Sequence, residues 1–272
     1  MSTLSATNRS RQKVLGYPVD VVDQELALSV IESAWQNGKG LHIVTLNAEM
    51  VVAAQQDAEL DRIIRHAHLI IPDGAGIVWA VRLAGQNIYR LPGIELAAAA
   101  LERAGQSGRS VALIGGRDEI VSRLAHDLPM RYPGLKVSGY HHGYFTIDEA
   151  ESIVDDLSRH NPELVLVALG VPKQEYFIDR FASQFPHAVI IGVGGSFDVW
   201  AGQVKRAPAL MRRLHLEWLY RLATEPWRWR RIGAALPNFG FQVVGDLLKG
   251  ANKKNNKKGK PDTQADSTPR NE

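Results

Sequence analysis

A lone carboxylate closes the apolar run IIPDGAGIV, from Ile70 to Val78. Asp73 stands there between a proline, which stops strand pairing, and a glycine, which allows backbone angles other residues resist. An acid at such a corner could be a general base, taking a proton from a hydroxyl as that oxygen attacks an electrophile. The plainer alternative is that Asp73 caps the helix starting near Gly76. Thr45 and Asn47 carry the same choice. They could hydrogen-bond a sugar or ribose hydroxyl, or Asn47 could simply start the helix at AEMVV, Ala48 to Val52.

Three further corners pair glycine with polar side chains. LIGGR, Leu113 to Arg117, is neither G-x-G-x-x-G nor a Walker A motif, so a tight turn is the simpler reading and a backbone nest for a nucleotide the other. PKQE, Pro172 to Glu175, opens a helix. There Lys173 and the free N–H groups could meet a phosphate, and Gln174 could read a base or sugar, although proline at a helix start is commonplace. In GGSFD, Gly194 to Asp198, Asp198 could hold ribose hydroxyls or cap a helix. The nine histidines form no HExxH and no metal-ligand spacing, and the strand ends lack a D-x-D signature. Metal catalysis is disfavoured on this reading.

These corners need elements to position them. Short apolar runs recur at Leu41–Leu46, His68–Ile71, Val111–Gly115, Leu135–Tyr140, Leu164–Leu169 and Ala188–Val193. Most lack alternation, as strands buried on both faces of a parallel sheet do. Helical patterns fall between them at Ala48–Ala58, Ile94–Ala104, Glu119–Met130, Ile147–His160 and Lys173–Phe185. The alternation predicts an α/β fold, a Rossmann-like and largely parallel sheet with helices on both faces. Ligands bind such sheets beyond the carboxyl ends of the strands, where these corners would converge.

The chain divides into a flexible start (1–11), an α/β catalytic region (12–200), an Arg- and Trp-rich helical appendage (201–250) and a polar, basic tail (251–272) with too little apolar surface to fold. Of its 272 residues 45% are hydrophobic, enough for a sizeable core. Cysteine is absent, which excludes disulfides and thiol nucleophiles. The start lacks the apolar run of a signal peptide and no segment reads as membrane-spanning, so the cytosol is the expected compartment. Residues 1–200 hold 17 Lys and Arg against 23 Asp and Glu, a net of −6, whereas residues 201–272 hold 15 against 6, a net of +9. The basic end therefore calls for an anionic partner: nucleic acid, a phosphorylated ligand or an anionic membrane. Its segments are RAP (Arg206 to Pro208), MRRLHLEWLYRL (Met211 to Leu222) and EPWRWRR (Glu225 to Arg231). A solvated basic helix face with tryptophan in the core is the bland reading of this composition.

Six segments together, TLNAEM (Thr45 to Met50), IPDGAGIV (Ile71 to Val78), VLVALGVPKQE (Val165 to Glu175), GVGGSFD (Gly192 to Asp198), RAP and LEWLYR (Leu216 to Arg221), closely resemble in content and order the WecG/TagA/CpsF family of bacterial glycosyltransferases (glycosyltransferase family 26). The likeness runs from about Leu15 to about Arg231. It implies an inverting transferase moving a hexose or N-acetylhexosamine, N-acetylmannosamine or glucose above all, from a UDP-sugar to a sugar on a polyprenyl diphosphate in cell-surface polysaccharide synthesis. By resemblance Asp73 is the base, with Thr45 beside it. Asn47, Arg90 (in YRLPG, Tyr89 to Gly93), Gln174 and Asp198 serve the sugar nucleotide, and Arg221, Arg228 and Arg231 offset the leaving diphosphate in place of a metal. No cofactor or metal is implied. The resemblance also implies an appendage that closes over the site, oligomers in which it is displaced, and peripheral attachment to the inner face of the cell membrane. There Trp218, Trp227, Trp229 and the tail lysines would meet anionic lipid. AALPNFGFQVVGDLL, Ala234 to Leu248, extends past the strongest likeness as a lipid-lying or packing segment, and its Gly and Pro argue against a long regular helix.

Two alternatives come from other classes. A dinucleotide-dependent oxidoreductase would need a glycine fingerprint that the first strand lacks. A nucleic-acid-binding module would use the basic end, but it fits poorly with the acidic first 200 residues.

Overall fold

The computed structural model describes residues 9–213, 216–224 and 229–258. The chain opens with a hairpin of β1 (Arg11–Val14) and β2 (Tyr17–Asp20), then α1 (Gln24–Gln36) and β3 (Leu41–Leu46). Next come α2 (Ala48–Ala54), α3 (Ala58–His66), β4 (Leu69–Pro72), α4 (Ala75–Leu83), α5 (Gly93–Gln106) and β5 (Ser110–Gly115). α6 (Asp118–Arg131), β6 (Lys136–His141), α7 (Ile147–Arg159), β7 (Leu164–Ala168), α8 (Lys173–Phe181), β8 (Val189–Gly192) and α9 (Ser196–Trp200) complete the α/β region. Three helices follow: α10 (Ala209–Arg213), α11 (Glu217–Thr224) and α12 (Trp229–Lys258).

The main sheet has six strands in the order β4-β3-β8-β7-β5-β6, and every neighbouring pair is parallel. Side chains alternate between two apolar layers, as the strand period of two requires. Ile43, Ile71, Leu113, Leu166 and Ile191 pack on one face with α1, α5 and α6. Val44, Ile70, Ala112, Val165 and Ile190 pack on the other, where α2, α3, α4, α7 and α8 lie. All six expected strands are present. The apolar runs lack alternation because both faces are covered, and only the edge strand β6 stays half exposed.

The expected helix Ala48–Ala58 is two helices. Asp57 accepts from the backbone N–H groups of Glu59 and Leu60 and starts α3 anew. The doubt over a long helix near Ala234 is also answered. α12 passes through Pro237 as one element. Ala235, Phe239 and Val243, spaced by four, are buried. Phe239 and Val243 join the apolar layer of α2 and α4. Phe241, Val244 and Leu248 are exposed on the same helix. α12 continues to Lys258, past the expected boundary at Gly250. Among the described residues no helix is long and apolar enough to cross a membrane.

The order of the strands sets the place for a site. From β5 the chain moves outward to β6, whereas from β7 it moves inward to β8. The connections diverge where β7 and β5 lie side by side, and a crevice opens beyond such a switch point.

Candidate active site

Two clefts open along the carboxyl edge of the sheet. The smaller, about 350 Å³, collects Thr45, Asn47, Asp73, Arg90, Gly93, Ser196 and Glu217. Pairing of Thr45 with Ile71 and Leu46 with Pro72 brings the ends of β3 and β4 together, so Thr45 and Asp73 meet at one corner. Thr45 is 7% exposed, and its hydroxyl donates to the Gly192 carbonyl at 3.2 Å.

Asp73 does not cap the helix that follows it. Gly74 holds the N-cap position of α4, and no side chain caps that helix. The Asp73 carboxylate instead accepts the Gly93 N–H at 3.1 Å. Gly93 opens the 14-residue helix α5, so the positive end of that helix faces the acid and stabilises negative charge on it. Gly93 is also a packing requirement. A Cβ there would lie 2.6 Å from Thr45 Cγ2, nearer than any real contact.

Arg90 holds the same corner from outside. Its Nε donates to the Asp73 carbonyl at 2.6 Å, and its guanidinium pairs with Glu217 at 3.1 Å. Glu217, 5% exposed, opens α11. Arg206 lies 3.8 Å from its other oxygen and also pairs with Glu95 of α5. Two arginines thus flank one buried carboxylate, and through it the helices after residue 201 reach the cavity. Sequence reasoning missed Glu217. Its signal lay within LEWLYR, which drew attention for its arginine.

The larger cleft, about 1050 Å³, lies at the switch point. Gly116, Gly143, Gly170 and Gly194 line it beside Lys173, Tyr144 and Asp198. LIGGR is a tight turn, with positive φ at Gly115 and Gly116, and its Gly116 borders this cleft. Asp198 lies inside α9 rather than capping it. Asn47 does cap α2, accepting from Met50, and lines the smaller cavity as well.

Gln174 borders neither cleft. It is 1% exposed and lies beneath the turn after β8, where it accepts from Gly194 N–H at 3.0 Å. Arg228 and Trp227 fall outside the described residues. Arg221 lies in α11, and Arg231 and Trp229 lie in α12, but their side chains are not among those described. Trp218 lines the smaller cavity and is partly exposed. Among the described residues no group of three or more His, Asp or Glu is placed to hold a metal ion.

Two clefts beyond the carboxyl ends of a parallel, helix-covered sheet place the chain among α/β proteins of the Rossmann-like class. Residues 12–253 match the model of the glycosyl transferase WecG/TagA/CpsF family, and the chain belongs to that family. An N-acetylglucosaminyldiphosphoundecaprenol N-acetyl-beta-D-mannosaminyltransferase from Bacillus spizizenii is 38% identical over 230 residues, 83% of this chain and 88% of the relative. The enzyme of the same name from Bacillus subtilis is 37% identical over 206 residues, 75% of this chain and 79% of its own. That from Staphylococcus aureus is 35% identical over 252 residues, 90% of this chain and 96% of its own. These matches favour neither an oxidoreductase nor a nucleic-acid-binding module.

Proposed function

We propose that this glycosyltransferase moves N-acetylmannosamine, with glucose as the second choice, from a UDP-sugar to a sugar on a polyprenyl diphosphate, with inversion. The names of the relatives support the sugar and the acceptor class. The observation that carries the reading is the pair of adjacent clefts. The larger has room for a nucleotide, and the smaller holds a carboxylate where an acceptor hydroxyl would arrive.

On this reading Asp198 holds the ribose and Lys173 meets the diphosphate. Thr45, Asn47 and Arg90 frame the transferred sugar. The acceptor oxygen attacks the anomeric carbon as the bond to the diphosphate oxygen breaks on the opposite face. The hydroxyl proton passes to Asp73, and UDP leaves with the bonding pair. Arg221, Arg228 and Arg231 offset the charge that develops on UDP, work otherwise done by a metal ion. Exposed Phe241, Val244 and Leu248 on α12, followed by the tail lysines, support peripheral contact with an anionic membrane.

The test is transfer from a panel of UDP-sugars to a short-chain polyprenyl-diphosphate sugar, with EDTA present. Transfer by the wild type that Asp73→Asn abolishes, with UDP binding intact, supports the reading. Full transfer by Asp73→Asn removes the base, and loss of transfer on EDTA addition removes metal independence.

A further inference from the structure

A chain of hydrogen bonds runs behind the wall between the two clefts. Gln174 accepts from Gly194 N–H at 3.0 Å. A backbone N–H can only donate, so the Gln174 oxygen must face it and the Gln174 NH₂ must face away. That NH₂ meets Glu175 Oε1 at 3.0 Å. The other oxygen of Glu175, Oε2, lies 3.2 Å from His42 Nε2. Whichever of that last pair carries the proton, Oε1 remains an acceptor and the orientation of the amide is settled. Glu175 is 0% exposed and Gln174 1%, so neither finds a substitute partner in water.

The turn above this chain serves both clefts. Gly192, Val193 and Ser196 border the smaller, and Gly194, Gly195 and Asp198 border the larger. The Gly192 carbonyl accepts from Thr45. Gly192 also lets Gln174 slip beneath, since a Cβ there would collide with the Gln174 amide nitrogen and come within 3.0 Å of Glu175 Oε1.

We propose that Glu175, backed by His42, is a positioning residue: it fixes the Gln174 amide, which in turn holds the Gly192–Gly195 turn and through it the Thr45 hydroxyl. Gln174 then works from beneath the site rather than by touching the sugar nucleotide. The catalytic use of the turn rests on the transferase reading above, whereas the polar relay itself does not.

The experiment reads amide exchange at Gly194 by NMR, with Val193 N–H, bonded to the Val167 carbonyl at 2.8 Å, as the internal reference. Glu175→Leu removes the acceptor, and Gly194 should exchange at least about ten-fold faster while Val193 keeps its rate. Glu175→Gln keeps an acceptor oxygen and should stay within about two-fold of wild type. The double variant Gln174→Glu/Glu175→Gln reverses the polarity of the middle bond and should also stay near wild type. It keeps the test alive if Glu175→Leu does not fold. Wild-type exchange at Gly194 in Glu175→Leu, or fast exchange in the double variant with Val193 protected, overturns the proposal. Turnover should follow exchange, falling in Glu175→Leu and returning in the double variant. Turnover that ignores the exchange rate removes the catalytic part. Absence of transfer by the wild type would count against the transferase reading and leave the exchange result standing.

Discussion

The carboxylate of Asp73 accepts the N–H of Gly93, a residue 20 positions further along the chain and the first of helix α5. The acid that ends one strand therefore sits at the positive end of a helix it does not begin. Asp73→Asn keeps this contact, because the asparagine oxygen can still accept from Gly93. Transfer is expected to fall by about 10²–10⁴-fold, the range for loss of a general base, while the melting temperature stays within about 1 °C of wild type, under the roughly 2–4 °C that 1 kcal/mol produces in a domain of this size. Activity assays beside thermal unfolding check both.

Glu217 between Arg90 and Arg206 gives a second expectation. Removing one member of a buried ion pair costs roughly 3–5 kcal/mol where the partner charge stays buried. Glu217→Ala should cost less, since Arg90 keeps the Asp73 carbonyl. About 2 kcal/mol is expected by discounting that range. Glu217 borders the smaller cleft alone, but it anchors α11, which carries Arg221, so UDP affinity should fall along with stability. Urea unfolding and calorimetric titration with UDP measure the two effects, and unchanged UDP affinity would contradict the role given to α11.

Gly93→Ala places a methyl group against Thr45 Cγ2. Overpacking of this kind costs about 1–3 kcal/mol. The displaced Thr45 should lose its bond to Gly192, so turnover should fall more than donor affinity. Pairing Gly93→Ala with Thr45→Ser, which removes the clashing methyl but keeps the hydroxyl, should restore most of both. Steady-state kinetics on the single and double variants decide this.

Much of this arrangement was readable before any coordinates. Five of the six strands of the main sheet are legible because covered strands exclude polar residues, and their glycine-polar endings mark the site edge. The hairpin β1–β2 is not legible, since four-residue strands with Pro18 inside carry almost no periodic signal. The placement of Gln174 could not be read either. PKQE is equally compatible with an amide facing a ligand and one facing the Gly194 backbone, and only the position of β8 beside α8 decides. Asp73 posed the subtlest case, because a cap for a distant helix leaves no local spacing to recognise.

The α3–α8 contact predicts a response to pH. The Asp57 carboxylate is held below the usual carboxylate range, first by the Leu60 N–H and then by the Tyr176 hydroxyl. A depressed acid contributes stability that is present above the ordinary value of 3.8 and lost as pH falls through the lower folded-state value. Burial, aided by Asp57, pushes the Tyr176 hydroxyl up to about 12, so its contribution is lost as pH rises from 10 toward that value. Asp57→Ala should cost about 1 kcal/mol at neutral pH through the lost cap. It should also flatten the acid limb of the stability curve, which urea unfolding at several pH values would show.

The turn from Gly192 to Ser196 is a party wall. A side chain at Gly195 would enter open space, but one at Gly194, whose φ is +50°, would strain the stretch that also carries Gly192 and Ser196 into the smaller chamber. Remodelling at Gly194 thus reaches both chambers. Laboratory evolution aimed at one of the two occupants should therefore keep returning compensating changes around the other, and lineages that diverged in one preference are expected to have drifted in both.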